Sequence, residues 1–214
     1  MKKYLLMYLL FFLILAPFIV NAQSTVIICS ESGENKGHCY QLVHPDGSVT
    51  WGEALNAAAS LMYDGRLGHL ATITSSDESG FIGSNFNFSN SNAIIGGYQE
   101  DNQSGPDIGW KWITGESWSF ADWNTVGECE PNDGDSCGNI VEDNDENCLE
   151  IQDQSAGSAR WNDGKCDSTS RFFLVEWDPP PADIPTLSFW GMFILFLLLA
   201  GSVFWLLRRK TTTI

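Results

Sequence analysis

Along the middle of the chain the apolar positions follow a helical period. Trp51, Ala54, Leu55, Ala58, Leu61 and Met62 recur at the spacing of one helix face. Thr50-Trp51-Gly52-Glu53 ahead of them reads as a capping box, with Thr50 at the N-cap and Glu53 at N3. A second box, Ser75-Ser76-Asp77-Glu78, precedes Phe81 and Ile82. Two helices are predicted, joined through the apolar stretch Leu67 to Ile73. Beyond Asn92 the pattern changes. Ile94 to Tyr98 and Trp110 to Ile113 read as short strands, and Arg171 to Trp177 as a buried final strand rich in β-formers. Between them lie long, aperiodic stretches of Gly, Asn, Asp and Ser. Loops of that length in a compact domain are functional or disordered. Trp118, Trp123 and Trp161 argue against disorder, which is poor in aromatics. These rings are expected as buried anchors, with stacking on a ligand as their other use. Early helices followed by late strands predict an α+β domain.

Both ends break this pattern. Lys2 and Lys3 precede an apolar run from Tyr4 to Val20, and Val20-Asn21-Ala22 supplies small residues at −3 and −1. Residues 1–22 read as a secretory signal peptide cleaved before Gln23, with an uncleaved anchor helix as the other reading. Leu187 to Leu207 carries no charge over 21 residues, enough to span a bilayer. Arg208, Arg209 and Lys210 follow, which places the C-terminus in the cytoplasm. The expected organisation is a signal peptide (1–22), one folded domain (23–178), a Pro-rich linker (179–186) and a transmembrane segment with a basic tail (187–210).

Charge sharpens this division. All 27 acids lie between the end segments, against six of the 11 basic residues, so the exported part has a formal net charge of −21. Such a surface excludes nucleic acid and anionic lipid as partners and favours divalent cations. All six cysteines (Cys29, Cys39, Cys129, Cys137, Cys148, Cys166) fall in the exported part, and an even number in an oxidising compartment implies disulfides. Zinc is the rival reading. His38, His44 and His69 lie apart from the later cysteines and no CxxC pair exists, which favours disulfides.

From Glu128 to Asp153 there are ten acids and no Lys or Arg. These groups stay apart in water or gather round a cation, and Ca²⁺ takes six to eight oxygen ligands. Glu130 and Asn132 offer a carboxylate and an amide oxygen across Pro131, and a cis Glu130–Pro131 bond would turn both toward one point. Asn162 and Asp163, after Trp161, offer a second such pair, and Glu146 offers a fifth group. A disulfide between Cys148 and Cys166 would draw these segments together.

In this order and spacing the sequence resembles a C-type lectin domain over nearly all of residues 29 to 178. The resemblance is carried by Gly37-His38-Cys39-Tyr40, Trp51-Gly52-Glu53-Ala54, Gly68 to Ile73, Ile94 to Gly97, Glu130-Pro131-Asn132, Glu146 to Ile151, Trp161-Asn162-Asp163, Cys166 and Phe173 to Glu176. It implies an α+β C-type lectin-like domain: two helices, small antiparallel sheets, long calcium-binding loops and disulfide staples. It implies Glu130, Asn132, Glu146, Asn162 and Asp163 as Ca²⁺ ligands. Glu130, Asn132, Glu146 and Asn162 would also bind two neighbouring sugar hydroxyls. Glu-Pro-Asn, as opposed to Gln-Pro-Asp, resembles the members that take mannose, glucose, N-acetylglucosamine or fucose.

The sequence departs from the family pattern in three ways. The long bridge from the first helix to the last strand is replaced by Ala58 and Val175, two small apolar residues expected to pack together. Cys29 and Cys39 fit the additional N-terminal hairpin bridge, whereas Cys129 and Cys137 have no counterpart and pair by elimination. The insert between Asn132 and Glu146 is long, so Glu142, Asp143 or Asp145 are alternatives to Glu146 as ligand. Asp133, Asp101 and Asp107 are candidates for an auxiliary Ca²⁺ site.

Ile184-Pro185-Thr186-Leu187, Trp190-Gly191, the apolar run and Arg208-Arg209 resemble an IPTL-type sorting signal of Gram-negative bacteria, with a membrane-embedded sorting protease as partner. A plain membrane anchor is the alternative. The expected function is Ca²⁺-dependent binding of mannose-type glycans or glycoproteins at a bacterial cell surface. A protein-binding or ice-binding module of the same fold is the alternative. An enzyme is not expected: acids engaged by Ca²⁺ are held ionised, and no nucleophile–base pair is legible.

Overall fold

The computed structural model describes residues 26–88, 92–100, 104–125, 129–133, 145–153, 157, 159–181 and 189–210. The chain divides into two compact units, one ending at Pro179 and one beginning at Pro180. In the first, the strands are β1 (Ile28–Cys29), β2 (Cys39–Val43), β3 (Val49–Thr50), β4 (Met62–Tyr63), β5 (Arg66–Leu67), β6 (His69–Leu70), β7 (Ala93–Tyr98), β8 (Lys111–Trp112), β9 (Cys148–Asp153), β10 (Arg160–Gly164), β11 (Thr169–Ser170) and β12 (Phe172–Trp177). Helix α1 (Trp51–Ser60) lies between β3 and β4, and α2 (Ser76–Asn85) between β6 and β7.

The main sheet runs β1-β2-β12-β7-β9-β10, with β6 also on β12 and β8 also on β7. β12 pairs antiparallel with β2 and parallel with β7. Alternate residues of β2 and β12 enter opposite cores, as the two-residue period of a strand requires. Tyr40, Leu42 and Leu174 join a cluster with Ile73, Ile82, Trp112 and Trp161. Val43, Phe173, Val175 and Trp177 join Ala54, Ala58 and Leu70 on the other face. A sheet covered on both faces explains why the last strand reads as a continuous apolar run. Ala58 and Val175, expected to pack together, are both fully buried in that second cluster.

The first capping box is complete: Thr50 Oγ1 accepts from Glu53 N, and the Glu53 carboxylate accepts from Thr50 N at 2.9 Å. The helix ends two residues before its apolar pattern does. Leu61 is its C-cap, and Met62 is an exposed residue of β4. The second box is only half formed. Ser75 Oγ accepts from Glu78 N, but the buried Glu78 carboxylate accepts instead from Thr74 N at 2.8 Å and Tyr40 OH at 2.6 Å. A tertiary partner thus outcompetes the local one.

Cys29–Cys39 and Cys148–Cys166 are disulfides. Cys129 is also disulfide-bonded, while its expected partner Cys137 lies outside the described residues. The signal peptide (1–22) and most of the linker (179–186) lie outside them too.

The second unit contains helix α3 (Phe189–Lys210), whose large apolar side chains from Met192 to Leu199 are exposed. Among the described residues no helix is long and apolar enough to cross a membrane.

Candidate functional site

The site is assembled outward from Trp161. This fully buried ring packs against Trp112, Trp118, Phe120 and Trp123 at centroid distances of 5.4–5.7 Å. The tryptophans are therefore anchors, as the sequence suggests. Trp161 N donates to Asp122 O and Asn124 N donates to Trp161 O, both at 2.8 Å. Glu130 N then donates to Asn124 O at 3.3 Å. Strand β10 thereby positions the loop that carries Glu130. β10 pairs antiparallel with β9, with Asn162 opposite Glu150 and Asp163 opposite Leu149, and the Cys148–Cys166 disulfide closes the end of this pair. Glu146, just ahead of β9, is brought to the same end.

The Glu130–Pro131 peptide bond is cis. After it, Asn132 N donates to both carboxylate oxygens of Asp163 at 3.1 Å, and Asp133 N donates to Oδ2 at 2.8 Å. The Glu130 carboxyl group lies beside that of Asp163. Asp133, at φ 55°, turns the chain so that its own Oδ1 accepts from Asp145 N at 3.0 Å and Glu146 N at 3.1 Å. An aspartate tolerates this left-handed conformation better than most residues do. Asn162 contributes differently, donating from Nδ2 to the backbone carbonyl of Asp163 at 2.5 Å.

Glu130, Asn132 and Asp163 are thus in direct contact, Asn132 through its backbone. Glu146 is tied in through Asp133, and Asn162 through the Asp163 carbonyl. Asp133 was a candidate for an auxiliary site with Asp101 and Asp107, but here its carboxylate clasps the backbone. Its place in the sequence Asn-Asp-Gly, residue types that favour turns, is the signal for that role. Asp101, Glu142 and Asp143 lie outside the described residues, and Asp145 pairs with Lys165.

The electrostatics are those of crowded acids. Glu130 and Asp133 are each 5% exposed and Asp163 1%. Burial pushes Asp163 up from the ordinary carboxylate range, against the pull of the N–H donors and Glu130. Burial and the charges of Asp163, Asp145 and Asp133 push Glu146 up to about 7, with Lys165 opposing. Carboxylates held this close at neutral pH call for a counter-cation, and hard oxygen donors suit Ca²⁺. On that chemistry the residues fit the metal. Among the described residues, however, the His/Cys/Asp/Glu group whose ligand atoms lie within 4.8 Å of one another is a different one: His38, Glu176 and Asp178.

No protein-family model matches the sequence, and no characterised protein matches it significantly. Solved structures do match. The cow C-type carbohydrate-recognition domain of CD23, determined in the presence of GlcNAc2Man3 oligosaccharide, superposes with a TM-score of 0.50 at 22% identity, covering 72% of this chain and 99% of that one. The EPNH mutant of CEL-I superposes with a TM-score of 0.51 at 16% identity, covering 72% of this chain and 98% of that one. At such identities the likeness is one of fold: the chain carries a C-type lectin-like domain, α+β and stapled by disulfides.

Proposed function

We propose that the exported domain is a Ca²⁺-dependent carbohydrate-binding module for glycans or glycoproteins of the mannose, glucose, N-acetylglucosamine or fucose type. The observation that supports it is the Asp163 carboxylate, which gathers the backbone of Asn132 and Asp133 and the side chain of Glu130 at one end of β10. Glu130, Asn132, Glu146, Asn162 and Asp163 would hold the metal. When bound, Ca²⁺ neutralises the acids and offers coordination positions to vicinal hydroxyls. Glu130 and Glu146 would accept hydrogen bonds from those hydroxyls, and the amide nitrogens of Asn132 and Asn162 would donate to them. The Asp163 clasp holds the backbone that carries Asn132 and Asp133. The role is binding, not catalysis.

A shallow site for one sugar binds weakly, so adhesion would rely on many copies on one surface. Bacterial cell-surface display fits this role. It rests on the signal peptide, the uncharged Leu187–Leu207 stretch, and Ile184-Pro185-Thr186-Leu187 as the recognition element of a sorting protease. The deciding experiment is a glycan array probed with Ca²⁺ and again with chelator. Chelator-sensitive signal on mannose-type glycans supports the reading. Protein or ice binding without any Ca²⁺-dependent glycan signal would replace it with the alternative module.

A further inference from the structure

We propose a second metal site, away from the sugar site: His38, Glu176 and Asp178, with His69 beside them, form a binding site for a divalent transition-series cation of the Zn²⁺ type. The sequence places these residues far apart, and its histidines read as scattered. The fold brings them together at one end of the main sheet. His38 leads into β2, Glu176 lies in β12 opposite Tyr40, Asp178 follows β12, and His69 opens β6, opposite Glu176.

The convergence is specific. One ligand atom each from His38, Glu176 and Asp178 lies within 4.8 Å of the others. His38 Nδ1 is 2.5 Å from Glu176 Oε1 and 3.7 Å from Asp178 Oδ1. Glu176 is 1% exposed, and its other oxygen accepts from Thr72 N at 2.8 Å and Thr72 Oγ1 at 3.3 Å. This outer contact orients the carboxylate with Oε1 toward His38, as supporting shells do in metal sites. Asp178 is 61% exposed, which leaves a side open for a water ligand, and its backbone carbonyl is held by the Arg66 guanidinium.

His69 supplies an independent observation. Its Nδ1 lies 2.9 Å from the backbone carbonyl of Leu70 and must carry a hydrogen to donate there. In a neutral imidazole Nε2 is then a bare lone pair. That atom is shielded from solvent, has no hydrogen-bond partner among the described residues, and lies 3.5 Å from Asp178 Oδ2. A lone pair this close to a carboxylate is repulsive unless a proton on Nε2 or a cation between the two groups relieves it. A metal held at this corner would take up that position, since the two oxygens of Asp178 already lie beside the two histidines.

The donor set selects the metal. Imidazole nitrogens with carboxylate oxygens suit Zn²⁺, whereas Ca²⁺ takes oxygen alone. Tetrahedral ligands at Zn–N and Zn–O distances near 2.0–2.2 Å stand roughly 3.3 Å apart. The metal replaces the hydrogen bond between His38 and Glu176, and that pair opens slightly.

The test uses the full chain, stripped with chelator, dialysed against Zn²⁺ with excess Ca²⁺ present, and assayed for metal content. About one Zn²⁺ per chain is expected, with Co²⁺ giving the visible bands of tetrahedral nitrogen–oxygen coordination. His38→Ala and His69→Gln should each lower Zn²⁺ affinity at least about tenfold. Asp178→Asn, at an exposed position, should do so with an unchanged circular dichroism spectrum. Glu130→Gln should leave Zn²⁺ binding intact, separating this site from the sugar site. Failure to retain Zn²⁺, equal retention by all three site variants, or His69 observed as an imidazolium that ignores added Zn²⁺ would each overturn the proposal.

Discussion

Asp163 and Asn132, 31 positions apart, meet through one backbone N–H that both carboxylate oxygens accept at 3.1 Å. With Asp133 N on the same group, the carboxylate is both a candidate ligand and the clasp of its neighbours. Asp163→Asn keeps the size but leaves one oxygen to do the work of two. Charge-assisted hydrogen bonds contribute about 1.5–3 kcal/mol each, so the variant should lose stability as well as Ca²⁺. Calorimetric titration should show Ca²⁺ affinity reduced by about tenfold or more, with a lowered melting temperature even in chelator. Wild-type stability in chelator would remove the clasp from this account.

Glu130 and Asn162 are proposed to serve metal and sugar together. Glu130→Gln and Asn162→Ala should therefore abolish Ca²⁺ and mannose binding in parallel, measured by titration with each. Normal mannose binding by either variant would refute the shared role.

Selectivity is a finer property of the same loop. Replacing Glu130 by Gln and Asn132 by Asp should shift preference from mannose toward galactose on a glycan array. The backbone clasp survives these changes, because Asn132 contributes its N–H to it and not its side chain. An unchanged profile would assign selectivity to the long insert before Glu146.

What the sequence revealed depended on the range of the interaction. α1 was legible because its capping box and apolar face lie within ten residues. β12 was legible because burial on both faces leaves an apolar run. Glu78 misled because Tyr40, 38 positions away, takes its carboxylate from the local box. In the site, the residue types were legible but not their arrangement, which runs from Trp161 through Asn124 to Glu130 by backbone hydrogen bonds indifferent to side-chain identity. His38 and Glu176, 138 positions apart, left no local pattern at all.

Glu78 makes stability depend on pH. Burial first, then the charge of Glu176, raises its pKa from 4.5 to about 7. The folded state therefore holds the proton more tightly than the unfolded chain does. Its contribution is complete below about pH 4.5 and is lost as pH rises through about 7. His38, raised by its hydrogen bond to Glu176, acts in the same direction, with stability lost as pH rises through its folded value. In chelator, urea denaturation should show the wild type losing stability between about pH 5 and about pH 8. Glu78→Gln should flatten that slope, and an unaltered slope would transfer the effect to other groups.

Two glycines separate close packing from helix propensity. A Cβ on Gly96 would meet the Leu70 backbone oxygen at 2.8 Å and Ile113 Cγ1 at 2.9 Å, and the backbone oxygen cannot swing aside. Gly96 N also donates to Ala71 O at 2.8 Å, so β7 is pressed against the segment that follows β6. Gly96→Ala should cost about 1–3 kcal/mol, the usual penalty of overpacking. Gly52, in the first turn of α1, has nothing within 4 Å of a built Cβ. Gly52→Ala should instead add up to about 1 kcal/mol, the propensity difference between the two residues in a helix. Thermal unfolding followed by circular dichroism should place Gly96→Ala several degrees below the wild type and Gly52→Ala at or above it. If Gly96→Ala melted with the wild type, the close approach of β7 to Leu70 would be wrong.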